Sequence, residues 1–220
     1  MTNAEYQAVS ASGGIICAYH LDGEGAGRQL DNYTGLTKAT GGFDWLHLRS
    51  DDPDAYHIMQ NLGLDLKIIE ALTAIETRPR MQLLAGGVLV NLRGVNTNPG
   101  SDPEDMVAIR VWFNDNLIVS GRRRERKLLS VEDVRQRIQD GSGPGSPGEL
   151  VAMLTEFLAN RINDVVDSID HELTQLETEL DNHNSRNIQQ QLSSIRKQTA
   201  AIRRYLAPQR EALAELYRSR

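Results

Sequence analysis

The sequence predicts an α+β fold: an α/β/α sandwich with a mixed sheet, followed by a long helical hairpin. Three observations predict it. Strand-like runs and short helices intersperse through residues 1–140, the pattern of a mixed sheet covered by helices. Residues 141–148, Gly-Ser-Gly-Pro-Gly-Ser-Pro-Gly, favour neither helix nor strand and read as a flexible linker. Residues 149–220 carry apolar residues in a heptad ladder that climbs one helix, turns and continues along another, as in a coiled coil.

Ile15-Ile16-Cys17-Ala18-Tyr19 reads as the first strand. Phe43-Asp44-Trp45-Leu46-His47-Leu48 follows, with Phe43 and Trp45 on one face and Leu46 and Leu48 on the other, so it is covered on both sides. Asp51-Asp52-Pro53-Asp54 starts a helix, because an Asp caps free amides and Pro is tolerated in the first turn. That helix is expected to stop near Gly63, and a second to run from Asp65 to about Ala74, before Arg78-Pro79-Arg80 breaks the pattern. Residues 87–92 and 107–113 read as strands, and Asn114-Asp115-Asn116 as a hairpin turn into Leu117-Ile118-Val119. Ser130-Val131-Glu132-Asp133 reads as a capping box that opens a helix carrying Val134 and Ile138.

In the hairpin, Leu158, Ile162, Val165 or Val166, Ile169, Leu173, Leu176 and Leu180 advance by threes and fours. After Asp181-Asn182-His183-Asn184 the ladder resumes at Ile188, Leu192, Ile195, Thr199, Ile202, Leu206, Leu213 and Leu216. Pro208 is expected to bend the second helix without ending it, since the ladder resumes in phase at Leu213. Tyr217-Arg218-Ser219-Arg220 carries no stop signal, so the helix is expected to continue beyond Arg220.

Composition narrows the function. A net charge of −6 argues against nucleic-acid binding. The single cysteine, Cys17, allows no internal disulfide and suits a reducing compartment. The N-terminus lacks the pattern of a secretory signal. No run approaches the ~18 apolar residues of a membrane span, so this piece is expected to be soluble, with any membrane segment beyond it. The Gly23-Glu24-Gly25-Ala26-Gly27 run lacks the strand, helix and Lys-Ser/Thr ending of a phosphate loop and reads as a plain loop. No nucleophile or acid–base constellation is present, and Cys17 sits in an apolar strand that disfavours its thiolate, so an enzyme is not expected and no cofactor is required.

Few side chains remain as candidates. His47 reads as a hydrogen-bonded core residue. His57, near Asp54, is one edge of a cation site or part of a solvated helix face. Asp167, Asp170 and His171 are the candidate metal residues, since residues 167 and 171 share a helix face and carboxylate with imidazole suits zinc. The alternative is the ordinary charged face of a coiled coil. In the basic run 122–127, Arg122, Arg124 and Arg126 point one way from a strand. They are candidates to hold chloride, phosphate or another anion, or else form a solvated edge that discourages strand pairing.

Trp45-Leu46-His47-Leu48, Thr77-Arg78-Pro79-Arg80, Leu117-Ile118-Val119-Ser120 and the run Arg203-Arg204-Tyr205-Leu206-Ala207-Pro208-Gln209-Arg210 occur in that order. Together they resemble the zinc-transport branch of the CorA family of divalent-cation transporters, over about Ile15 to Arg220. The resemblance implies the cytoplasmic domain of a homopentameric protein of the bacterial inner membrane, with Zn2+ as the transported ion. It implies an intracellular funnel for assembly, cation attraction and gating. It also implies two C-terminal membrane helices and a Gly-Met-Asn-type pore motif, none of which this sequence contains. A second reading is a free-standing α/β protein that docks a partner through its coiled coil. The coding sequence after Arg220 separates the two.

Overall fold

The computed structural model describes residues 13–31, 33–36, 41–75, 77–102, 104–123, 127–180 and 185–218. Seven strands form one mixed sheet: β1 (Ile15–Leu21), β2 (Gly27–Gln29), β3 (Phe43–Arg49), β4 (Arg80–Leu84), β5 (Gly87–Gly94), β6 (Val107–Phe113) and β7 (Leu117–Arg122). Their order across the sheet is β2-β1-β3-β7-β6-β5-β4. Among the described residues only the central β3–β7 pair is parallel. A parallel pair needs a long crossover, and here the chain uses it to place α1 (Pro53–Asn61) and α2 (Leu66–Thr73) on one face.

Both faces are covered, as expected. Leu46, Leu48, Leu89, Trp112 and Val119 pack against Ile58, Met59, Ile68, Ile69 and Leu72 of α1 and α2. On the other face Trp45, Val90, Ile109, Val111 and Ile118 meet α3 (Leu129–Gln139) and the near ends of α4 (Pro147–Leu180) and α5 (Ser185–Arg218). A register shift between Ile15 and Cys17 turns these two residues to opposite faces, as a bulge does.

The capping predicted for α1 is present: the Asp54 N–H donates to the Asp52 side chain at 3.0 Å, and Pro53 is the first helical residue. Asp65 caps α2 in the same way, through the Lys67 N–H at 2.8 Å. The capping box expected at 130–133 is not formed. Leu128 is the cap residue of α3, no side chain bonds there, and Ser130 is buried within the first turn. A related pair of capping bonds forms instead at the start of α4, with the acid reaching the residue before the cap. The Glu149 N–H donates to Ser146 Oγ at 3.2 Å, and the Glu149 carboxylate accepts from the Gly145 N–H at 2.8 Å. Pro147 and Gly148, read as linker, are thus the first residues of α4. The rest of that segment is tied down rather than loose, because the Gly143 N–H donates to the Gly25 carbonyl at 2.8 Å.

Two strands escaped the sequence reading. β2 closes a hairpin whose Gly23–Gly27 turn is held by Asp22, which accepts from the Glu24 and Ala26 amides. β4 joins β5 through Ala85-Gly86, both at positive φ, where Asn-Gly would be the usual signal.

The hairpin is antiparallel. Leu176 clusters with Ile188 and Ile195, Ile162 with Tyr205 and Leu206, and Leu158 with Ala212. The turn expected at 181–184 lies outside the described residues. Of the two alternatives on the ladder, Val165 packs in the seam and Val166 is exposed. Thr199, assigned to the seam, is exposed. α5 runs through Pro208 without ending.

Candidate functional site

α5 reaches the sheet where a buried polar residue, Gln209, meets β5. The Arg93 N–H donates to Gln209 Oε1 at 2.6 Å. The guanidinium of Arg93 is fixed by protein acceptors: Nη1 donates to the Met106 carbonyl and Nη2 to the Thr77 carbonyl, each at 2.8 Å. Its carbon lies 4.6 Å from the centroid of the Tyr205 ring, and that of Arg204 lies 5.9 Å from it, both within cation–π range. Thr77 and Pro79 are buried and anchor the loop before β4, leaving Arg78 exposed between them. Pro208 donates no N–H to the Arg204 carbonyl one turn earlier.

These elements enclose a cleft of about 640 Å³, lined by Ile75, Thr77, Arg78, Pro79, Arg93, Arg204, Tyr205 and Pro208. The Thr77–Pro79 loop and the Arg204–Pro208 stretch, far apart in sequence, therefore share one wall. A smaller cleft of about 140 Å³ adjoins it across Ile75 and Arg93, and Arg110 and Arg123 line that one. Arg110 is buried and donates to the carbonyls of Ala74 at 2.6 Å and Ile75 at 3.3 Å. Burial pushes its pKa down to about 10, and the positive charges of Arg93 and Arg123 push the same way.

The residues singled out from sequence are placed differently. Arg122 ends β7 half-buried, donates to the Arg123 carbonyl at 3.1 Å, and has its pKa lowered by burial. Arg124 and Arg126 lie outside the described residues. Asp167, Asp170 and His171 are all exposed on α4, and His171 Nε2 sits 3.0 Å from the Gln175 amide nitrogen. Among the described residues no three His, Cys, Asp or Glu side chains gather into a group able to hold a metal ion. His57 is exposed, its ring edge-on to Tyr56.

His47 is the hydrogen-bonded core residue expected. Its Nδ1 is 2.8 Å from Ser120 Oγ, and that oxygen accepts from Trp45 Nε1 at 2.9 Å. Burial drives its pKa well below the ordinary imidazole value, and Arg122 and Arg135 add to this. Burial also raises the Cys17 thiol to about 12, so it is not a nucleophile at neutral pH.

Sequence reasoning missed Arg93, Arg110 and Gln209. The available signal was a polar residue interrupting an apolar run, as Arg110 does between Ile109 and Val111. It also missed the pair of His20 and Asp44, 2.8 Å apart, which lines a cleft of about 840 Å³ at one end of the sheet. Antiparallel register sets these two opposite each other, and nothing in their sequence spacing shows it.

The chain matches the family model described as CorA-like Mg2+ transporter protein over residues 40–220, and it belongs to that family. The divalent cation transporter CmaX of Pseudomonas aeruginosa is 36% identical over 211 residues, which cover 93% of this chain and 63% of CmaX. The zinc transport protein ZntB of Yersinia enterocolitica is 31% identical over 208 residues, 91% of this chain and 60% of that protein. The chain thus spans a little over half the length of these relatives. The structure of full-length CmaX superposes with a TM-score of 0.83 at 35% identity, covering 92% of this chain and 63% of that one. The ZntB cytoplasmic domain of Vibrio parahaemolyticus shares the fold, with a TM-score of 0.78 at 23% identity over 94% of this chain and 80% of that one.

Proposed function

We propose that this chain is the cytoplasmic domain of a divalent-cation transporter of the ZntB and CmaX kind, with Zn2+ as cargo. The observation that carries this is the 36% identity to a divalent cation transporter over 93% of the chain. Among the described residues no helix is long and apolar enough to cross a membrane. On this reading the crossing segments follow Arg220 and hold the domain at a bacterial inner membrane, and five copies surround an intracellular funnel. The net charge of −6 per copy would concentrate cations at its mouth through the long-range field. Zinc would visit Asp167, Asp170 and His171 weakly in passing, since a tightly held ion would not move on. An anion at Arg122, Arg124 and Arg126 would offset the positive charge of that run.

The test is the coding sequence after codon 220, followed by flux of its product. Two long apolar segments are expected. The reconstituted product is expected to admit Zn2+ into vesicles loaded with a zinc indicator. A stop codon after Arg220 would favour the free-standing protein that docks a partner through its hairpin. Calorimetry with zinc on the wild type and on an Asp167→Ala, His171→Ala double variant tests the weak contact: nanomolar binding, or equal affinity in both proteins, removes it.

A further inference from the structure

We propose that the cleft between residues 77–79, β5 and α5 binds a phosphate-type oxyanion, free or carried on a small metabolite, through Arg78, Arg93 and Arg204. At about 640 Å³ the cleft has the size of a small-molecule site. Three of its lining side chains are arginines, and none of its described lining residues is acidic. The chain as a whole carries 30 Asp and Glu against 24 Lys and Arg, so a concentration of positive charge here runs against its average. No described carboxylate forms an ion pair with Arg78 or Arg204, and both side chains are exposed. They can turn their guanidinium forks to a ligand, and that fork matches an oxyanion better than a spherical halide.

Arg93 plays a different part. Its guanidinium is already held by Met106, Thr77 and the Tyr205 ring. It supplies a fixed charge in the cleft wall, with no ordering cost on binding. Behind it Arg110 and Arg123 line the adjoining cleft together with one carboxylate, Asp105. Burial is the first cause of the lowered pKa of Arg110, and a smaller part comes from the positive potential of Arg93 and Arg123, which Asp51 opposes. An anion in front of Arg93 relieves this potential. The charge and shape of the cleft belong to this chain alone, so oxyanion binding stands or falls separately from transport.

The experiment is titration calorimetry on the full 220-residue chain at fixed ionic strength, with orthophosphate, pyrophosphate and ATP without added metal. Saturable binding of at least one is expected. Arg78→Gln and Arg204→Gln should each weaken it about tenfold, the worth of a charge-assisted hydrogen bond. Arg196→Gln, an exposed arginine elsewhere on α5, should leave it unchanged, and circular dichroism checks that each variant is folded. Tighter binding of ATP than of pyrophosphate assigns the site to a phosphorylated metabolite, and the reverse assigns it to the free anion. Absence of saturable binding, an equal response to chloride, or wild-type affinity in the Arg78→Gln, Arg204→Gln double variant overturns the proposal.

Discussion

The near and far halves of the helical hairpin share one heptad pattern and are held in different ways. In the near half, Leu150, Val151, Leu154 and Leu158 of α4 and Ala212, Leu213 and Leu216 of α5 join the core on the sheet. In the far half, Leu176, Ile188 and Ile195 form a cluster with Ile169, Leu173 and Leu192 that contains hairpin residues alone. A heptad seam buries one stripe per helix, whereas a helix laid on a sheet shares in a core with many neighbours. The periodicity of a ladder therefore says that a helix has a partner. It does not say how much free energy the contact contributes. A far half held by its own seam is the region expected to open first.

The largest effect expected is in the sheet. Trp45 is fully buried, stacks on Tyr19 at 5.9 Å and donates to Ser120. Trp45→Ala should cost about 3–5 kcal/mol in urea unfolding, from the cavity and the lost bond. A cost under 1 kcal/mol would mean that the sheet is not the stabilising centre. Next comes the direct comparison of the two halves. Leu154→Ala, under the sheet, should cost about 2–5 kcal/mol of global stability. Leu176→Ala makes the same chemical change in the far seam, where neighbouring side chains can relax. It should cost at the bottom of that range or less, and raise amide exchange in the far half alone. Equal costs and equal spread of exchange would show that the hairpin is one cooperative unit.

A buried imidazole links the sheet to pH. His47 is neutral when folded, because burial holds its pKa far below 6.5. In the unfolded chain it takes up a proton below about pH 6.5. Between these two values the unfolded state binds more protons, so stability falls as pH falls, by up to about 1.4 kcal/mol per unit. Above pH 6.5 this group contributes no slope. Urea midpoints measured from pH 7.5 to 5 should therefore decline below 6.5, and His47→Gln should flatten that decline. An unchanged slope in the variant would assign the acid sensitivity elsewhere.

The fold was legible wherever one physical signal dominated. The two-sided β3, the Asp-Pro start of α1, the turn at Asn114–Asn116 and the heptads all state their structure locally. β4 was not legible, because its turn is Ala-Gly and its outer residues, such as Leu83, face solvent. The cleft was hidden for another reason. Arg78 and Arg204 are 126 residues apart in sequence, and what unites them is the antiparallel return of α5 and the Gln209 bond to β5. The family motifs marked both stretches without indicating that they meet.

The smallest expected effect tests how a local signal misleads. Ser130-Val131-Glu132-Asp133 and Ser146-Pro147-Gly148-Glu149 both precede apolar runs, and each sets an acid two or three residues after a serine. In the second, Ser146 stands outside the helix, its carbonyl accepts the Leu150 N–H at 3.0 Å, and its hydroxyl accepts the Glu149 N–H. Pro147 follows at the first helical position, where its missing N–H costs nothing. In the first, the chain enters α3 two residues earlier, because Leu128 packs into the core as the cap residue. Burying that leucine outweighs a cap bond worth about 1 kcal/mol. Ser146→Ala should therefore lower stability by about 1 kcal/mol, while Ser130→Ala, which removes no capping bond and deletes a buried hydroxyl that has no hydrogen-bond partner, should not lower it. Paired urea titrations decide the matter, and a larger loss from Ser130→Ala would return the cap of α3 to the serine.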